Sequence, residues 1–385
     1  MNMTTKNDIF TRYLKEYLKA SNERKSEILN HITDVTGMHR KACIRRFGVL
    51  QRKDPSSRET RGRPTYYTKD VDAALFAIWE AANELCGELL HPLINEYVTI
   101  LRRDGMWIHS DEATGKLLSM SERTVRRRCR KFKVKYSIGK GISGTKPSAL
   151  KSLIPIGKGP WHDRGTGSGQ IDTVAHCGDS LLGDFIWTLN YTDIATYWVV
   201  PRAQWNKGEV ATVLSMETIK KRLPFPWIYA HPDSGGEFIN WHAKGWCDEQ
   251  GIEYERSEPG KKNDNCFVEE RNGHVVRKYL GYTRFDHLEL VDLINEFYDV
   301  LGLYLNHFQT VRRTLKKERV GAKYRRIFET TAKTPYQRVL DRDDVSETVK
   351  ERLQKEHETL NPLVLKRKID TMTTLIMKKQ RSHGN

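Results

Sequence analysis

No run of about 18 apolar residues, the length a membrane-crossing helix needs, occurs in the 385-residue chain. The opening MNMTTKNDIFTRYLKEYLKA also lacks the apolar stretch of an export signal. A soluble, unexported, cytoplasmic protein is expected. The six cysteines, at 43, 86, 129, 177, 247 and 266, include no pair at zinc-ligand spacing, so neither zinc nor disulfides are expected and the thiols read as free in a reducing compartment. A nucleotide loop is missing too. The Gly-Lys pairs of SIGKGISGTKPS and GKGPWHDRG never complete GxxxxGK[ST] and follow no strand-like segment.

What the chain has in excess is positive charge, +16 overall and unevenly placed. Basic residues outnumber acidic ones 32 to 18 over residues 1–167 and 20 to 10 over 311–385, whereas acidic residues lead 21 to 13 over 168–310. A basic front and tail around an acidic centre suit a polyanion gripped by the flanks while carboxylates in the middle hold metal, although a merely soluble basic protein could carry the same total. The length exceeds what one core usually serves, so about two to four domains are expected.

Residues 1–50 read as three short helices, with Ile9, Tyr13, Leu14 and Leu18, then Ile28, Leu29 and Ile32, at helical spacing. Thr36-Gly37 interrupts the pattern before MHRKACIRRF, whose cations include Arg40, Lys41 and Arg45. Helix, glycine turn and basic helix form the plan of a helix-turn-helix that enters the major groove; a small bundle with a solvated basic face would look the same. Residues 51–69 lose all periodicity and read as a basic linker, in which Arg61-Gly62-Arg63-Pro64 resembles an AT-hook core that fits a narrow minor groove.

A second helix-turn-helix unit is expected over 70–133. Val71, Leu75, Ile78 and Trp79 share one helix face, and Leu93, Tyr97 and Leu101 another. Its last helix, ERTVRRRCRKFK, carries Arg123, Arg126, Arg127, Arg128, Arg130 and Lys131, while Val125 and Cys129 supply a buried stripe. So many cations on one short helix repel one another unless a polyanion lies alongside, which points to DNA. Residues 134–167, rich in Gly, Ser, Lys and Pro, read as a flexible basic linker.

The character changes over 168–310. Ile171–His176, Asp184–Tyr191 and Tyr197–Pro201 are rich in β-formers and suggest a three-stranded meander. A helix over 207–222, a strand over 226–230, a helix over 239–250, a strand over 252–257 and a helix over 264–280 follow, giving βββαβαβα, a mixed sheet with helices on its faces. In that layout three acids converge. Asp172 lies on the central first strand, where Asp is disfavoured and asks for a reason. Asp233 follows the strand beside it, 61 positions on, and Glu269 sits on the helix after the fifth strand, with 35 residues between the two. On an ideal helix Asn265, Glu269, Asn272 and Val276 share a face, and Glu270 points about 100° away. Three carboxylates from a strand, a strand end and a helix can hold a pair of hard divalent ions. His176, His231 and His274 read as packing residues rather than ligands.

GQIDT, HPDSGGEFIN and KKNDNCFVEERN resemble the three signatures of integrase-core transposases of bacterial insertion sequences, relatives of retroviral integrases with a ribonuclease-H-like fold. TPYQRVL at 334–340 and NPLVLKRKID at 361–370 resemble their tail segments. The resemblance implies Asp172, Asp233 and Glu269 as catalytic and metal-binding residues, with two Mg²⁺ ions and Mn²⁺ as a substitute. It also implies cleavage of element ends, joining of the 3′ ends to target DNA without a covalent enzyme intermediate, and a homo-oligomer on the nucleoid that brings two ends together. The zinc-binding His-His-Cys-Cys front domain of the retroviral relatives is absent, so end recognition falls to the helix-turn-helix units. A structure-selective nuclease on the same fold and a catalytically silent, transposase-derived DNA-binding regulator are the rival readings. The 311–385 region is expected to be basic and mostly helical.

Overall fold

The computed structural model of the chain describes residues 3–52, 66–132, 154–155, 161, 164–233, 235–257, 266–320 and 323–382. Arg61, Arg63, Asn265 and most of the 134–167 stretch lie outside these. The chain divides into two compact units, residues 1–66 and 67–385.

The first unit is three helices, α1 (Met3–Lys19), α2 (Asn22–Thr36) and α3 (Arg40–Arg52). The Ser21 side chain caps α2 by accepting the Arg24 N–H, and α2 stops at Gly37, whose φ of +65° suits a residue without Cβ. Phe10, Ile28, Leu29, Ile32, Cys43 and Phe47 form the core. Tyr17 stacks on Phe47 at 4.0 Å, and Phe10 meets the same ring edge-on at 5.1 Å.

The second unit begins with α4 (Lys69–Ala81), α5 (Gly87–Leu90), α6 (Ile94–Arg103), α7 (Asp111–Leu118) and α8 (Glu122–Phe132). A five-stranded sheet follows, from β1 (Ser168–Ala175), β2 (Ile186–Asp193), β3 (Val199–Trp205), β4 (Tyr229–Pro232) and β5 (Glu253–Tyr254), in the order β3-β2-β1-β4-β5. The first three strands run antiparallel, while β4 is parallel to β1 and β5 to β4. This is a ribonuclease-H-like mixed sheet with β1 at its centre. β3 starts two residues later than the sequence suggests, because Tyr197 sits at φ +63° in the preceding turn. Pro201 is tolerated inside β3 because that strand is an edge.

Helices cover both faces of the sheet. On one, α9 (Glu209–Arg222) and α10 (Trp241–Gln250) pack Met216, Ile219, Ala243 and Trp246 against Ile171, Leu189 and Val200. On the other, α11 (Cys266–Asn272) runs through a π-turn, Gly273–Arg277, into α12 (Lys278–Leu280), and α13 (Leu290–Phe308) lies alongside. The tail forms a hairpin, β6 (Thr314–Val320) and β7 (Lys323–Phe328), and then α14 (Pro335–Leu340), α15 (Glu347–Thr359) and α16 (Pro362–Ser382). The hairpin is not visible in the apolar pattern because seven charged residues interrupt any alternation over Thr314–Phe328.

The 70–133 block is part of the same compact unit as the sheet. Val71, Leu75, Ile78 and Tyr97 share one core with Val174, Leu280, Ile294, Leu301, Tyr304, Phe308 and Ile369. Tyr304 Oη donates to Ala81 O at 2.7 Å, Tyr97 Oη to Phe308 O at 3.2 Å, and Thr310 Oγ1 to Leu89 O at 2.7 Å. Helical periodicity reports that a face is buried, not which element buries it. Each fully buried side chain here contributes about 1.5–3 kcal/mol, which is why the block docks rather than standing free. The stretch expected as a linker is anchored in part: Ile154 is buried, and Pro155 O accepts the Arg256 N–H at 2.8 Å. Among the described residues no helix is long and apolar enough to cross a membrane.

Candidate active site

Asp172 occupies the middle of β1, paired with Asn190 of β2, and β4 lies on its other side with Ile171 opposite Pro232. Parallel pairing therefore delivers the residue after β4, Asp233, to the same end of the sheet. Gln170 shares the Asp172 face of β1 by strand alternation. Its Oε1 accepts the Phe267 and Val268 N–H groups at 2.9 and 3.3 Å, satisfying orphan donors at the start of α11. The helix bearing Glu269 is thus seated on the strand bearing Asp172.

Each oxygen of Asp172 is held. Thr173 N–H donates to Oδ1 at 2.8 Å and Asn272 Nδ2 to Oδ2 at 2.6 Å, while Asn272 in turn accepts from Asn190 Nδ2 at 2.9 Å. Asp233 Oδ1 accepts the Gly235 N–H at 2.8 Å. Burial first, and then the charges of Asp233, Glu269 and Glu237, push the Asp172 carboxyl up to about 8, against the one opposing effect of the Thr173 N–H. Partial burial raises Glu269 as well. Of the neighbouring pair, Glu269 is felt at Asp172, whereas Glu270 acts on Tyr197, Arg271 and His274. From Glu269 to Asn272 the ideal helix face holds. Beyond it the π-turn shifts the phase and both Val275 and Val276 enter the core.

Among the described residues no three His, Cys, Asp or Glu side chains close a metal cage by themselves. Mg²⁺ does not require one, since it keeps several waters and is held by one or two carboxylates plus substrate phosphates. An all-oxygen set in which burial, and then the neighbouring carboxylates, raise Asp172 fits such an ion. The histidines do not join it. His176 bonds Thr188 Oγ1 at 2.8 Å and His231 bonds Tyr229 Oη at 3.2 Å, and burial lowers each ring to about 3. His274 is lowered too, by burial and then by Arg271.

Three residues went unmarked in the sequence. Gln170 and Asn190 could have been found from strand alternation and register around Asp172. Glu237 could not, because nothing in its spacing shows that a carboxylate four residues after Asp233 turns back under β1. It is buried, and its Oε1 accepts the Thr173 hydroxyl at 2.7 Å.

The cations expected to meet DNA divide by their partners. On α8, Arg128 is paired with Asp72 and lies over the Tyr67 ring at 5.2 Å, and Arg126 stands 3.8 Å from Glu88. Arg123, Arg127, Arg130 and Lys131 are exposed and have no ion pair among the described residues. On α3, Arg40 is tied back to α2 through Asn30 Oδ1 at 2.5 Å and Ser26 Oγ at 2.7 Å, whereas Lys41 and Arg45 are exposed.

Fold and site together define an α/β protein with a ribonuclease-H-like sheet that carries acids on its central strand, on the neighbouring strand end and on the helix seated over them. No family model matches the chain. The uncharacterized protein y4rM of Sinorhizobium fredii is 33% identical over 326 residues, 84% of this chain and 92% of that protein, and the chain belongs to the same family. Among solved structures, the HTLV-2 integrase catalytic core domain in complex with magnesium is 14% identical, covering 37% of this chain and 88% of its own, with a TM-score of 0.28. The catalytic core domain of BIV integrase is 14% identical, covering 46% of this chain and 95% of its own, with a TM-score of 0.31.

Proposed function

We propose that the protein is a DNA transposase, which binds the ends of a mobile element, cleaves them and joins the 3′ ends to target DNA. The observation that carries this reading is the gathering of Asp172, Asp233 and Glu269 at one end of the sheet, where burial first, and then the charges of Asp233 and Glu269, raise the Asp172 carboxyl. Such a centre is costly to keep in a stable fold and calls for a cation to discharge it. Asp172, Asp233 and Glu269 are the residues that would hold Mg²⁺. When bound, the metal would supply activation of an attacking oxygen and stabilisation of the leaving one. Asn272 and the Thr173 N–H fix the orientation of Asp172, and the Gly235 N–H fixes Asp233, so the chain's own contribution is a pre-set donor geometry. The exposed cations of α3 and α8 supply phosphate contacts that the acidic centre cannot.

The test is an assay of cleavage and strand transfer with duplexes copied from the DNA flanking the gene. Terminal inverted repeats there, cut and joined to a target plasmid, support the reading. Cutting without joining favours the nuclease, and binding without cutting favours the regulator.

A further inference from the structure

The carboxylate of Glu237 stands against both the strand that carries Asp172 and the turn that carries Asp233. Its Oε1 takes the hydroxyl proton of Thr173, the residue after Asp172, whose own N–H is bonded to Asp172. Its other side packs directly against Gly235, where a Cβ would come within 2.7 Å of Glu237 Cδ and Oε2; the N–H of Gly235 is bonded to Asp233. Glu237 is only 6% exposed, and its Oε2 has no hydrogen-bond partner among the described residues. The nearest cation is Lys207, 3.9 Å away and seated over the Trp187 ring at 5.0 Å.

We infer that Glu237 is a positioning residue, a strut between β1 and the Asp233 turn that sets the separation of Asp172 and Asp233 and so the affinity of the centre for a divalent ion. This rests on the reading of the centre given above. One carboxylate meets Thr173 and Gly235, whose N–H groups hold Asp172 and Asp233, so any slackening at Glu237 moves both ligands at once. The hydroxyl of Thr173 forms the other end of the strut. Breaking it there should reproduce the loss of Glu237 without emptying any space, because valine matches threonine in shape.

The measurement is the rise in melting temperature that Mg²⁺ brings to the full-length, DNA-free protein, together with the Mg²⁺ concentration that half-saturates strand transfer. Glu237→Ala and Thr173→Val should each raise the half-saturating Mg²⁺ by about tenfold with kcat at saturation nearly kept, since misplaced ligands cost about 1.4 kcal/mol for each tenfold. Glu237→Gln, which retains an acceptor for Thr173, should restore most of the Mg²⁺ response. The double variant Glu237→Ala/Thr173→Val should be no worse than either single one. Unaltered Mg²⁺ responses in both single variants, or full additivity in the double, would overturn the inference, and Thr173→Val decides alone if Glu237→Ala does not fold. Asp172→Asn serves as the reference. If it keeps the wild-type Mg²⁺-induced rise, the reading of the centre fails, whereas its loss beside an intact Thr173→Val response rejects the strut only.

Discussion

At the scale of single residues, the chain carries a stability cost where its chemistry is proposed. The Asp172 carboxyl is raised from its unfolded value of 3.8 to about 8, so the folded chain holds a proton that the unfolded chain releases. That penalty grows as pH rises from about 4 to 8. Asp172→Asn should therefore stabilise the metal-free protein at pH 8, on the order of 1–3 kcal/mol after allowance for solvent on its exposed side, and the gain should vanish near pH 4. Urea melts at the two pH values with EDTA check this; an equal or less stable variant at pH 8 contradicts it. The same change, like Asp233→Asn and Glu269→Gln, should abolish cleavage and joining while leaving DNA binding intact, and Glu270→Gln should be mild. A dead Glu270→Gln beside an active Glu269→Gln would reverse the assignment. Buried histidines work in the other direction. His176 and His231 are lowered to about 3, so unfolding lets them take up protons, and stability present above about pH 6.5 should fall by about 1.4 kcal/mol per pH unit for each as the solution is acidified. Calorimetric melting of His176→Gln from pH 7 to 4 should show a shallower decline than the wild type. The place of Asp172 on the central strand was legible in the sequence, because a strand-borne Asp is conspicuous. Of the supports of the acids, Asn190 follows once the register around Asp172 is drawn, whereas Glu237 was not legible, because it depends on a turn folding back.

At the scale of elements, the α8 cations show what composition conceals. A count of charges cannot tell a bound arginine from a free one, whereas the fold ties Arg128 to Asp72 and leaves Arg123, Arg127, Arg130 and Lys131 exposed. Replacing Arg123, Arg127 and Arg130 with Ala should weaken DNA binding and lower the slope of log K against log salt by about one for each phosphate that is no longer neutralised. Arg128→Ala should instead lower the melting temperature, because it leaves Asp72 without its partner. An unchanged salt slope in the triple variant would reduce the α8 cations to a solvated face. The helices and the βββαβαβ order were readable from period and β-former content. The β6–β7 hairpin was not, because its stability does not come from an apolar alternation, and neither was the π-turn after Asn272, which no residue-type pattern announces.

At the scale of the whole molecule, the sequence reads 70–133 as a helix-turn-helix unit divided by a linker from the 168–310 sheet region, and the fold joins the two through α13 and α16. Residues 1–66 alone should fold as a three-helix unit, whereas residues 1–140 should expose the apolar face of α4–α6 and aggregate. Cleavage within 133–153 should leave the α4–α8 fragment attached until denaturant is added. Gel filtration of the nicked protein reads this directly, and free release of the fragment contradicts a shared core. The central claim is that this molecule cuts and joins DNA at the Asp172, Asp233 and Glu269 centre. The most direct test incubates full-length protein, Mg²⁺, a duplex copied from the gene's flanking DNA and a supercoiled plasmid, and looks for covalent joining of the duplex 3′ end to the plasmid. Joined product with the wild type and none with Asp172→Asn is the expected result. Equal joining by both, or none by the wild type on duplexes that it binds and holds, would contradict the account.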